Sequence, residues 1–308
     1  MTTTMQPQIT DAFAVLADAS ERESWLKARP RGVGASESPI LMGASKFSSP
    51  IELWGIKTGR LPESVDDENE RMLWGQRLEP LVAEEYERKT GRQLSPWGTL
   101  LQSKAQPVML ATPDYQIVGE NIPVEIKTTD ASRVKDWSDG SPPHVVIQCQ
   151  HQMFVTGARS ASVGVLVGGN RFMWCDVERD DALIADIVAA CLKFWQYVRE
   201  DVPPPADGSE PTSEAIAKLW PITAEGESIV LPDDAYEWAR DLESAEVLAK
   251  LAKDTIETAK NKVKVAMGSA EIALFPDGER AFTYRTQPRK GYTVAPGSSR
   301  VLRRSANG

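Results

Sequence analysis

The chain has 308 residues, 41% of them hydrophobic, and a formal net charge of −9 at pH 7, which gives one or two domains with enough apolar content for a core. The acidic balance argues against broad, non-specific adhesion to nucleic acid and leaves a local basic patch as the means of binding it. No run of about 18 apolar residues occurs, Met1 to Thr10 lacks the apolar stretch of a signal peptide, and only two histidines and three scattered cysteines (Cys149, Cys175, Cys191) are present; a membrane span, a disulfide framework, a four-cysteine cluster and His-based zinc chemistry are therefore not expected, and a cytoplasmic location with buried thiols is.

Ser20 to Arg29 reads as a short helix stopped by Pro30. Arg31 to Met42 contains Gly32-Val33-Gly34-Ala35-Ser36-Glu37, a turn feeding a helix with Ser36 as its N-cap. Arginines beside a helix N-terminus with free N–H groups suit a phosphate. Arg29, Arg31 and Ser36 are thus candidate phosphate or DNA ligands, with Lys46 a lesser one. The competing readings are a simple cap for Ser36 and solvated charges for the arginines. Ser49-Pro50-Ile51-Glu52 has the form of a capping box with Pro at the first helical position, opening a helix that ends at Gly59. Val65 to Glu70 is acidic and reads as a loop, and Asn69 to Thr90 as a helix closed by Gly91.

Strand signals follow at Thr99 to Gln102, Val108 to Ala111, Tyr115 to Val118 and Pro123 to Lys127, separated by Pro and Gly. His144 to Thr156 reads as a helix stopped by Gly157. Ala161 to Val167 and Phe172 to Val177 read as a hairpin turning at Gly168-Gly169-Asn170, and Asp180 to Glu200 as a long amphipathic helix. These elements fill a first domain, 1–201. Residues 202–221, with Pro203-Pro204-Pro205, Gly208 and Pro211, read as a Pro-rich linker. The last part, 222–308, holds a helix from Asp233 to Met267 on which Ala245, Ala249, Ala252, Ile256, Ala259, Val263 and Ala266 recur at alternating steps of four and three, a coiled-coil-like seam. A hairpin around Pro276-Asp277-Gly278 follows, and from Arg280 onward there are seven basic residues and no acid.

The chemistry concentrates in Thr112-Pro113-Asp114 and, after ten further residues, Glu125-Ile126-Lys127. Side chains alternate along a strand, so Glu125 and Lys127 share a face, and a turn can set Asp114 on the neighbouring strand beside the Glu. Two acids converging on one point repel unless a cation lies between them. Oxygen ligands with few histidines favour Mg²⁺, with Mn²⁺ as the substitute. Asp114 can bridge two ions, Glu125 and the Ile126 carbonyl can complete one site, and Lys127 can orient or deprotonate the attacking water. Glu79, in Trp74-Gly75-Gln76-Arg77-Leu78-Glu79-Pro80, shares a helical stripe with Val82 and Tyr86 and is the fourth candidate, a salt bridge to Arg77 being the plainer alternative. Gln150 lies among Val146, Met153 and Gly157; it is a candidate for holding Lys127 or the scissile phosphate, or else for satisfying a strand carbonyl.

With these residues in place, the chain resembles the YqaJ-like viral recombinase family, relatives of phage lambda exonuclease. The resemblance rests on Trp25 to Gly43, Trp74 to Val82, Thr112 to Asp114, Val124 to Thr128 and Gln148 to Gly157. It implies an α/β, restriction-endonuclease-like PD-(D/E)XK core, here with a C-terminal helical and hairpin extension. It implies a Mg²⁺-dependent nuclease that degrades one strand of linear double-stranded DNA from its 5′ end, with metal residues at Glu79, Asp114 and Glu125 and Lys127 beside them. The family's Gln falls on Gln150, its 5′-phosphate Arg on Arg29 and its Ser on Ser36. It further implies a homo-oligomer, a trimeric ring in lambda exonuclease, a single-strand annealing protein as partner, and a phage or prophage origin. The rival expectations are a Cas4-like or helicase-linked nuclease and a non-catalytic DNA-end-binding protein on a nuclease fold.

Overall fold

The computed structural model describes residues 11–18, 21–62, 70–222 and 226–288. Ser20, the acidic stretch Val65 to Asn69 and the basic residues from Arg289 onward lie outside the described residues. Two compact units are distinguished, Met1–Pro221 and Ile222–Gly308.

In chain order the first unit holds β1 (Phe13–Asp18), α1 (Arg22–Ala28), β2 (Val33–Gly34), α2 (Ser38–Leu41), α3 (Pro50–Lys57), α4 (Glu70–Thr90), β3 (Leu94–Pro96), β4 (Thr99–Ser103), β5 (Met109–Ala111), β6 (Tyr115–Ile117), β7 (Pro123–Thr129), α5 (Pro143–Thr156), β8 (Ser160–Val167), β9 (Arg171–Glu178), α6 (Asp181–Glu200) and α7 (Glu210–Leu219). The second unit holds α8 (Ala235–Met267) and the hairpin β10 (Ile272–Leu274) and β11 (Arg280–Thr283). Local chemistry sets several ends. Ser49 Oγ accepts from Glu52 N–H at 3.3 Å, with Pro50 at the first position of α3. Asp180 caps α6 by accepting from Ala182 N–H and Leu183 N–H at 2.9 and 3.0 Å. Gly157 ends α5 at φ +71°, a left-handed conformation that glycine adopts without a Cβ penalty.

Two sheets organise this unit. The larger runs β3-β6-β7-β8-β9 and the smaller β1-β4-β5-β2. In the larger sheet β7 and β8 are parallel, and every other neighbouring pair is antiparallel. Parallel neighbours need a crossover, and α5 supplies it. Val145, Cys149 and Met153 of α5 pack on Ala161, Val163 and Val165 of β8. Its other side, Ile147 and Val155, joins Leu101 of β4, Met109 and Ala111 of β5, and Ile187 and Phe194 of α6. The helix is therefore buried between the two sheets. Each large aliphatic so buried contributes roughly 1.5–3 kcal/mol. On the opposite face of the larger sheet, Val82, Ala83 and Tyr86 of α4 cover Ile117, Val124 and Ile126, and Tyr86 donates its hydroxyl to Ser162 Oγ of β8 at 2.7 Å.

Two expectations are corrected here. The stretch 202–221 is not a linker throughout: Ser209 caps α7, accepting from Thr212 N–H at 3.3 Å, and Thr212 and Ala215 are buried. Leu219 packs so close to α3 that a Cβ added at Gly55 would stand 3.0 Å from its Cδ2. Nor is Ser36 an N-cap. Gly34 holds that place before a short 3₁₀ turn, Ala35–Glu37, in which Ser36 is exposed.

Candidate active site

Strand pairing brings the first acids together. Tyr115 pairs with Val124 in the antiparallel β6–β7 ladder, so Asp114, one residue before, comes level with Glu125. Ile126 N–H donates to Asp114 Oδ2 at 2.8 Å, which ties the acid across the end of β6. The N–H and C=O of one strand residue leave by the same edge, so the Ile126 carbonyl opens toward Asp114 too. Val124 and Ile126 face α4, and alternation turns Glu125 and Lys127 toward α5.

Glu125 is 3% exposed and takes three donors. Lys127 Nζ lies 2.5 Å from Oε1, Gln148 Nε2 donates to Oε1 at 2.7 Å, and Gln152 Nε2 donates to Oε2 at 2.6 Å. Burial pushes the Asp114 carboxyl well above the ordinary carboxylate range, and the nearby Glu125 and Glu79 charges add to it. Glu79, half-buried on α4, is raised by burial and then by Glu125, with Lys127 offsetting part of that. Burial alone would lower Lys127; Glu125 and Asp114 outweigh it and hold the ammonium above its ordinary value. Tyr115 is pushed up to about 12 by burial and by Glu79 and Asp114. The charges of Glu79, Asp114 and Glu125 are thus coupled to one another and to Lys127.

Among the described residues no three His, Cys, Asp or Glu side chains form a ready-made cation cage; the Glu125 oxygens accept from Lys127, Gln148 and Gln152. The donor chemistry nevertheless fits a hard divalent ion. The donors are oxygens, the Asp114 and Glu79 carboxyls lack sufficient counter-charge, and among the described residues Gln152 Oε1 is buried with no hydrogen-bond partner.

Gln150 does not join this cluster. Its Nε2 donates to Glu178 O at 2.7 Å and its Oε1 accepts from Asp180 N–H at 2.9 Å, so it fastens the end of β9 to the start of α6. The glutamines at the acid are Gln148 and Gln152. With His144, whose pKa is lowered by burial and by nearby Lys127 and Arg133, they recur every four residues on one face of α5. The spacing is visible in the sequence, but which way the stripe faces is fixed only by the packing of Cys149 and Met153 on β8.

The phosphate candidates occupy a separate segment. Arg29 Nη2 is 3.6 Å from Glu37 Oε1, and its guanidinium lies over the Trp25 ring, 4.9 Å from the centroid. Trp25 Nε1 donates to Thr112 Oγ1 at 3.4 Å, which connects this segment to the residues just before Asp114. Arg31, Ser36 and Lys46 are exposed. One expected N–H is already taken, since Glu37 Oε2 accepts from Gly34 N–H at 2.8 Å. The pair Glu37–Lys57, 2.8 Å apart with side chains 7% and 1% exposed, was not anticipated. Lys57 stands on the last turn of α3, where a lysine ordinarily reads as solvated.

The Pro113-Asp114 step before one strand, the Glu-x-Lys on its antiparallel neighbour and the helical crossover to a parallel strand make up the restriction-endonuclease-like PD-(D/E)XK core expected from the sequence. A family model described as a YqaJ-like viral recombinase domain matches residues 24–159. Protein YqaJ of Bacillus subtilis (strain 168) is 38% identical over 223 residues, covering 70% of each chain. Among solved structures, the alkaline exonuclease LHK-Exo of Laribacter hongkongensis is similar at 24% identity with a TM-score of 0.49, over 64% of this chain and 99% of that one. A phage-related exonuclease from Haemophilus somnus 129PT is similar at 13% identity with a TM-score of 0.43, over 57% and 99% of the two chains.

Proposed function

The chain belongs to the YqaJ-like viral recombinase family, and from that membership we propose that it is a Mg²⁺-dependent exonuclease that digests one strand of linear double-stranded DNA from the 5′ end. The product would be a 3′ single strand for a phage-type annealing protein in the cytoplasm of a bacterial host. The observation that carries the reading is that Asp114, tied by Ile126 N–H, stands level with the Glu125–Lys127 pair, with Glu79 close enough to feel both charges.

Glu79, Asp114, Glu125 and the Ile126 carbonyl would hold the metal, with Mn²⁺ able to replace Mg²⁺. When bound it supplies Lewis-acid polarisation of the phosphoryl oxygens and an activated water. Lys127 orients or deprotonates the attacking water and offsets charge on the phosphorane. Gln148 and Gln152 aim the two oxygens of Glu125. Arg29 and Ser36 grip the terminal phosphate, with Arg31 and Lys46 along the DNA backbone.

End-labelled duplexes test this. Linear DNA with 5′-phosphate ends, linear DNA with 5′-hydroxyl ends and closed circles are each incubated with Mg²⁺ or with a chelator. Release of nucleotides from 5′-phosphorylated linear ends with Mg²⁺ alone is the expected result. Cutting of closed circles overturns the exonuclease assignment, and a Glu125→Ala or Lys127→Ala variant with full activity overturns the site.

A further inference from the structure

We propose that α8 pairs with the α8 of a second copy of this chain as an antiparallel two-stranded coiled coil. The helix runs for 33 residues and is exposed along nearly all of its length. Most helical stability in water comes from a packed apolar face, and α8 shows an uncovered one: Trp238 is 56% exposed, Leu242 42% and Ile256 51%. These residues belong to one seam. Apolar side chains at alternating three- and four-residue steps extend from Ala235 to Ala266 without a charged or polar interruption. That is a continuous heptad repeat with its a and d positions filled.

The seam is self-complementary when reversed. About a twofold axis between Lys250 and Leu251, every seam residue meets a seam residue. Leu242 faces the partner's Ala259, Ala245 faces the partner's Ile256, and Ala249 faces the partner's Ala252. Large side chains in this central stretch meet small ones, and Trp238 meets the partner's Val263 further out. Interdigitation of this kind fills a close-packed interface.

Charge selects the same direction. The half of α8 before Lys250 carries Glu237, Asp241, Glu243 and Glu246 against Arg240. The half from Lys250 carries five lysines against Asp254 and Glu257. At the positions flanking the seam, an antiparallel pair sets Glu246 opposite the partner's Lys253 and Asp241 opposite the partner's Lys262, each twice by symmetry. A parallel pair sets Asp241 opposite the partner's Glu246, which repels. The antiparallel arrangement also aligns the two helix dipoles favourably.

The inference is independent of the nuclease reading, and its test needs no activity. The full chain carrying L242C and A259C is oxidised at low micromolar concentration, and its disulfide-linked peptides are mapped. Residues 242 and 259 of one straight helix lie about 25 Å apart, so any link between them joins two chains. The expected product is a covalent dimer joined 242 to 259. Links of 242 to 242 and 259 to 259, or no interchain link at all, overturn the proposal. Sedimentation supplies the second arm. K253E weakens association about tenfold by setting Glu against Glu, and E246K/K253E restores it. Association unchanged by K253E, or a wild-type chain that stays monomeric, also overturns the proposal and leaves the seam to a different protein.

Discussion

Glu125 receives one charged donor and two neutral ones, and that division gives separate roles to three neighbouring glutamines. Gln148→Ala or Gln152→Ala leaves a buried carboxylate short of a donor and free to swing, so each should lower cleavage about 10–100-fold, as supporting groups around a metal-binding acid usually do. Gln150→Ala instead loosens the junction of β9 and α6. It should cost about 1–2 kcal/mol of stability with cleavage close to wild type. Turnover on 5′-phosphorylated duplex and urea unfolding of the three variants separate the two outcomes. His151 sits on the same helix, buried against Ser38, and burial pushes its pKa down to about 3. An exposed histidine titrates near ~6.5. Between those values the unfolded chain binds a proton that the folded chain refuses, so acid favours unfolding. The His151 contribution to stability should be complete above about pH 6.5 and fall by about 1.4 kcal/mol for each unit as pH drops toward 3. His151→Gln should flatten that slope in urea midpoints measured across pH 5–8.

Elements were legible in the sequence where their signal is local. The helix expected over Asp180 to Glu200 is α6, which starts one residue later because Asp180 is its cap. The hairpin at Gly168-Gly169-Asn170 and the helix ending at Gly157 announce themselves through turn residues. What escaped depends on distant partners or on phase. β1 carries no strong strand signature of its own and exists because Phe13 pairs with Ser103; β2 is two residues long and exists because Val33 pairs with Met109. The glutamines at 148, 150 and 152 look alike until Cys149 and Met153 are seen to face β8, which fixes the rotation of α5. α7 had a readable start, Ser209 followed by Pro211, hidden by the prolines before it. The close seating of β2 on β5 makes a prediction at this scale. A Cβ at Gly32 would lie 2.4 Å from the backbone oxygen of Val108, and backbone cannot step aside as a flexible side chain does. Gly32→Ala should therefore destabilise the first unit by about 2–3 kcal/mol, read as a lowered urea midpoint.

Across the whole molecule, the acids have different provenance. Glu125, Lys127, Gln148 and Gln152 all come from residues 123–167, the single β7–α5–β8 crossover. Glu79 comes from α4, and Asp114 from the chain just before β6. A supersecondary unit with its own buried contacts tends to open and close cooperatively. Native-state hydrogen exchange should accordingly find the amides of β7, α5 and β8 the slowest, exchanging together, while those around Asp114 and the first turns of α4 exchange through smaller, easier openings. Uniform protection across all four regions would contradict this. The Glu125 cradle thus comes from one continuous segment, whereas Glu79 and Asp114 are brought to it by elements that precede it in the chain. Because β8 ends at Val167, a chain must be synthesised past that residue before the Glu125 cradle can close, by which point Glu79 and Asp114 have already emerged.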